Sequence, residues 1–153
     1  MSFLPDNYNE IFGNEYYIKY PNHWNEVDIQ VPNLKFVIRA PEYDFYGSAN
    51  LVIEYLDPKE NISLEEYKDI SISQVSNQIT NFSLINIELE QNRIINFYKL
   101  EYTGLQGKMD LRYIQYIGVA LDTAIVLTFT FDEAGYNTSK SDIQDMVKSF
   151  KIK

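Results

Sequence analysis

Apolar positions along this chain follow two periods. Short runs alternate every second residue, as half-buried strands do, and two longer stretches repeat at helical spacing. The first alternating run is Tyr16 to Tyr20, closed by Pro21, which has no N–H to give to a ladder. Pro21-Asn22-His23 predicts a turn, and Trp24 a return to the core. Asp28 to Val31 predicts a brief extended piece. Lys35 to Ala40, stopped by Pro41, predicts a strand. So does Asn50 to Leu56, with Leu51, Ile53 and Tyr55 on one face.

The period then changes. Ser63-Leu64-Glu65-Glu66 is a capping box, in which a serine oxygen and a glutamate three residues on satisfy orphan helix amides. It predicts a helix from Leu64 to about Ile79, with Tyr67, Ile70, Val75 and Ile79 on the buried face and Phe82 just past the end. Leu84 to Glu90 alternates again: Ile85, Ile87 and Leu89 face in, and Asn86, Glu88 and Glu90 face out. One covered and one solvated face is the antiparallel pattern. A tight turn at Gln91-Asn92 leads to a strand from Ile94 to Thr103. Gly104 to Lys108 predicts a hairpin loop, and Asp110 to Val119 and Thr123 to Phe131 the next strand pair, with Gly118 marking a bulge. A last helix is expected from about Ser139, with Asp142 as its acidic cap. Ile143, Met146, Val147 and Phe150 form its apolar stripe. Strands, a helix, a run of antiparallel strands and a closing helix predict an α+β fold, with helices packed on an antiparallel sheet.

Composition narrows the function classes. The chain has 153 residues, the length of one domain. Residues 1–14 read as a polar, flexible lead and 15–153 as a single domain. Hydrophobic residues are 45% of the chain and aromatics 15%, a composition that is globular and suits strands. The formal charge of -9 repels nucleic-acid phosphates and argues against an anionic membrane surface as the main partner. With no cysteine there is no disulfide, no thiolate metal site and no cysteine nucleophile. No apolar run approaches the ~20 residues of a spanning helix. The first residues, Met1 to Glu15, show no export signal.

The order of segments resembles the PsbP-like family, named for an extrinsic protein of photosystem II. The matching pieces are Tyr17-Ile18-Lys19-Tyr20-Pro21 with Trp24, Asn50-Leu51-Val52-Ile53, Ser63-Leu64-Glu65-Glu66-Tyr67, Tyr98 to Tyr102, Leu127-Thr128-Phe129-Thr130, and Met146 to Ile152. They span nearly the whole chain. The resemblance implies an α/β/α sandwich around a central antiparallel sheet. That fold is similar to those of Ran-GTPase-binding proteins and of small bacterial secretion chaperones, and it implies no general enzymatic activity. Photosynthetic members bind metal ions through His and carboxylates. Here His23 is the only imidazole, so that site does not carry over. Many bacterial relatives are lipoproteins, but their anchoring cysteine is absent too. Localisation stays open between an extracytoplasmic protein, its signal lying upstream of this sequence, and a cytoplasmic one if Met1 is the native start.

Candidate chemistry is sparse. His23 lies in a turn with no nucleophile or carboxylate placed beside it by local spacing, so neither a triad nor a metal site is expected. Pro21 and Trp24 read as structural anchors, the indole N–H bonded to a carbonyl. Glu65, Glu66 and Asp69, and likewise Asp132 and Glu133, read as helix-start carboxylates held by the helix dipole. The loop Tyr43-Asp44-Phe45-Tyr46-Gly47 stands apart: Tyr43, Phe45 and Tyr46 either form an exposed contact patch or fold back over the sheet. No catalytic residue and no cofactor is expected, because the phosphate-loop, nucleophile-elbow and dinucleotide patterns are missing. The leading expectation is a non-catalytic accessory or protein-binding module whose partner is another protein. The alternatives are a cytoplasmic chaperone or adaptor for an apolar client segment, and a small carboxylate-based hydrolase.

Overall fold

The computed structural model describes residues 7–41, 45–91 and 94–153. Along them run β1 (Tyr8–Phe12), β2 (Tyr16–Pro21), β3 (Asn25–Val27), β4 (Leu34–Arg39), β5 (Gly47–Tyr55) and α1 (Leu64–Gln78). Then follow β6 (Thr80–Glu90), β7 (Phe97–Gln106), β8 (Met109–Ala120), β9 (Thr123–Phe131), α2 (Glu133–Ser149) and β10 (Lys151–Ile152). Seven strands form one sheet in the order β3-β4-β5-β9-β8-β7-β6, and β1-β2-β10 form a small second sheet. Every described strand pair is antiparallel. The fold is α+β, as the alternating segments predict.

Alternation divides the side chains of the large sheet between two cores. Ile125, Leu127, Phe129 and Phe131 of β9, Leu51 and Ile53 of β5, and Ile38 of β4 point to the face covered by α2 and the small sheet. Ile143, Met146 and Phe150 meet them from the helix, and Ile18 and Tyr20 from β2. On the opposite face Leu100, Tyr102, Leu111, Tyr113 and Ile117 gather beneath α1. Trp24 is buried in the larger core with its ring edge-on to Phe131 at 6.1 Å. Its Nε1 has no hydrogen-bond partner among the described residues, so the expected bond to a carbonyl does not form. Pro21 is buried at the end of β2, opposite Tyr8.

Both helix starts are built from side chains. Ser63 Oγ accepts from Glu66 N at 3.1 Å, and Glu66 Oε1 accepts from Ser63 N at 3.3 Å, completing the expected box. α2 starts six residues before the expected Ser139. Asp132 is its cap, accepting from Gly135 N at 2.7 Å, and Asp142 sits mid-helix instead. Asn and Thr in that first stretch lowered its apparent helicity, but a well-placed cap decides where a helix begins.

Several other boundaries differ from expectation. The polar lead contains β1, whose backbone pairs along β2 while Ile11 touches the larger core. The extended piece lies at Asn25–Val27 rather than 28–31. β7 begins at Phe97, and Ile94 before it is fully exposed. Asn92 of the expected turn lies outside the described residues. Gly118 makes no bulge. The ladder runs straight through it, and its missing Cβ leaves room for the Phe97 ring. Gly104 sits inside β7 under Ile79, leaving Gly107 and Lys108 as the turn, with Gly107 at φ 62°.

The largest departure is β6. Phe82 packs on the smaller core, but the apolar residues beyond it are only partly covered: Ile85 is 48%, Ile87 38% and Leu89 44% exposed. β6 is the edge strand of the large sheet. Ile70, assigned to the buried face of α1, is also exposed; the packed face carries Leu64, Tyr67, Ile72 and Val75.

Candidate functional site

The residues singled out by type are mostly occupied with structure. His23 is exposed on its turn, and the titratable group it influences is Asp142. The Asp142 carboxyl is pushed up by burial and by Asp145, with His23 opposing. Among the described residues no three His, Cys, Asp or Glu side chains converge as a metal site would require. At the start of α1, Lys68 Nζ donates to Glu65 Oε1 at 2.9 Å and pairs with Asp69 at 3.1 Å. Tyr98 Oη also donates to Glu65. These hydrogen bonds, Tyr98's first, hold the Glu65 carboxyl below its ordinary range.

The aromatic loop is tied to α2. Tyr46 N donates to Asp132 Oδ2 at 3.0 Å, and Asp132 N donates to Tyr46 O at 3.2 Å. Asp132 therefore caps the helix and clamps the loop. Phe45 packs against the larger core and Tyr46 against the smaller, each partly buried. Tyr43 and Asp44 lie outside the described residues.

Two features were not singled out from the sequence. One is the edge of β6, eleven residues long and open on its outer side among the described residues, with Leu84, Ile85, Ile87 and Leu89 partly exposed. Register shifts near Ser83 and Leu84 bend this strand. The other is a groove of about 500 Å³ between α1 and the sheet. Its floor comes from alternate residues of β5, β8 and β9: Ser48, Asn50, Gln115, Thr128 and Thr130. Gln115 Nε2 donates to Thr128 Oγ1 at 3.1 Å, and the Tyr46 and Ser48 hydroxyls lie 3.4 Å apart. Among the described residues Tyr113 Oη and Gln115 Oε1 are buried there with no hydrogen-bond partner. Each such orphan costs roughly 1–3 kcal/mol. Polar residues at the inward period-two positions of β8 and β9 were the available signal.

No protein-family model matches the sequence, and no curated protein does. Solved structures do. Cyanobacterial PsbP from Synechocystis superposes with a TM-score of 0.72 at 20% identity, covering 100% of this chain and 98% of that one. The chain has the PsbP-like fold. LpqN of Mycobacterium tuberculosis, involved in cell envelope biogenesis, matches at 0.65 and 9% identity over 95% of this chain and 90% of its own. The Ran-binding protein Mog1p of Saccharomyces cerevisiae matches at 0.63 and 14% identity over 95% of both chains. At these identities the PsbP-like likeness is one of architecture. Among the described residues no helix is long and apolar enough to cross a membrane.

Proposed function

We propose that this protein is a non-catalytic binding module that takes up an extended segment of a partner protein along the β6 edge. The observation that carries this is the exposure of Ile85, Ile87 and Leu89 on a long, open edge strand. Such an edge offers a row of backbone donors and acceptors to an incoming strand, and proteins ordinarily blunt it with charge, proline or a covering element. The opposite face of β6 carries Glu88 and Glu90, and the chain as a whole is acidic. A segment alternating apolar and basic residues matches both faces. The PsbP-like fold supports the proposal, since one protein that shares it is by name Ran-binding. Phe45 and Tyr46, only partly buried, and Tyr43, two residues before Phe45 in the sequence, are kept as a subsidiary contact in this proposal.

The test is titration of isotope-labelled protein with a synthetic alternating Val-Lys peptide, followed by amide NMR. Shifts should concentrate on β6 and weaken as salt is raised. The double variant Ile87→Lys, Leu89→Lys should stay folded, with a modestly lowered thermal midpoint because both side chains are partly exposed, and lose the shifts. Shifts centred elsewhere, or unchanged in the variant, refute the β6 assignment.

A further inference from the structure

We propose that the groove between α1 and the large sheet is a binding site for a neutral, polyhydroxylated ligand, a mono- or disaccharide. This rests on a different surface from the β6 edge and does not depend on it. The groove's volume of about 500 Å³ falls inside the ~300–1,000 Å³ range of small-molecule sites. Among the described residues, none that lines it is charged, although the chain carries 22 acidic and 13 basic residues. An ionic ligand would find no counter-charge there. An apolar one would strand the hydroxyls and amides of the floor.

The polar groups suit hydroxyl recognition. Ser48, Thr128 and Thr130 are buried, and each hydroxyl both donates and accepts. Tyr113 and Gln115 stand two apart on β8 and so share a face. Among the described residues their Oη and Oε1 atoms are buried without a protein hydrogen-bond partner: one can donate or accept, the other only accepts. Neighbouring ring hydroxyls of a sugar offer the same mixture. Buried polar atoms are nearly always paired in folded proteins, so two orphans beneath one cavity mark a place where a ligand completes the network. Tyr46, only partly buried, adds an aromatic ring to the lining against which the C–H side of a sugar can lie.

The experiment is a titration of the full labelled chain with maltose, followed by the Gln115 side-chain amide and the backbone amides of Ser48 and Thr128. Saturable shifts confined to the groove are expected, with none from glucuronate at equal concentration. Tyr113→Phe keeps the ring and removes only the orphan hydroxyl. It should fold with an equal or higher thermal midpoint and bind about five-fold more weakly, the loss of one hydrogen bond. Gln115→Leu should weaken binding at least as much. No shift up to the solubility limit of maltose, equal response to glucuronate, or unchanged binding by folded Tyr113→Phe would each overturn the site. A peptide response at β6 would survive any of these failures, so the two proposals fall separately.

Discussion

Arg112 reaches diagonally across β8 and β7 to Glu101, its Nε donating to Oε2 at 2.7 Å and a second guanidinium nitrogen to the same oxygen. The guanidinium also lies over the Tyr136 ring at 4.1 Å, which links the sheet to α2. Glu101 is nearly enclosed, with its side chain 12% exposed. Removing the arginine therefore leaves a carboxylate with little water to replace its partner. Arg112→Ala should cost about 2 kcal/mol in urea unfolding, less than a fully buried pair because the arginine is partly solvated. Arg112→Lys should cost about 1 kcal/mol, since an ammonium keeps the charge but cannot supply the fork or the stacking plane.

Gly135 ties the aromatic loop to α2 by its lack of a side chain. A Cβ there would collide with the Tyr46 carbonyl oxygen and come within 3.0 Å of Asp132 Oδ1 and Phe45 Cδ2. Alanine for glycine inside a helix ordinarily stabilises by roughly 0.5–1 kcal/mol. Here the backbone of the loop must move, and Gly135→Ala should instead destabilise by about 1–3 kcal/mol. The amide resonances of Phe45, Tyr46 and Gly47 should shift with it. A stabilised variant with those resonances unmoved would show that the loop is not clamped.

Asp142 sets a pH dependence of known sign. Burial raises its folded-state carboxyl above the ordinary value of 3.8, with Asp145 adding and His23 opposing. Below the unfolded value both states hold the proton and nothing is lost. As pH climbs through the raised folded value, the unfolded chain releases the proton more readily, and stability falls. Asp142→Asn should raise the thermal midpoint at pH 7 more than at pH 4. An equal gain at both would place the carboxyl in an ordinary environment.

Tyrosines govern the alkaline limit. Tyr67 is raised by burial and then by its hydrogen bond to Glu54 Oε1 at 2.7 Å; Tyr102 is raised by burial and by Tyr113, whose ring stacks on it at 4.8 Å. Stability from these phenols is fully present below the ordinary value of 10.0 and drains away as pH rises past it, because the unfolded chain ionises first. Thermal midpoints should fall steeply above pH 10. Tyr67→Phe, having no proton to lose, should fall less steeply than the parent.

What the chain's pattern determined by itself was local and periodic. Ser63 and Glu66 announced α1, because a capping box is made within four residues. Ile143, Met146 and Phe150 announced the packed face of α2, and Asp110 to Val119 and Thr123 to Phe131 announced a strand pair. Tertiary structure decided which faces are covered. Period-two alternation places Ile85, Ile87 and Leu89 on a common side of the chain in an ideal strand, but only the sheet order leaves β6 at the edge. The same holds for Ser48, Gln115 and Thr128. Gln115 and Thr128 face each other across the β8–β9 hairpin, but Ser48 lies on β5, and the β5–β9 pairing that brings it beside them is long-range and contained in no local window.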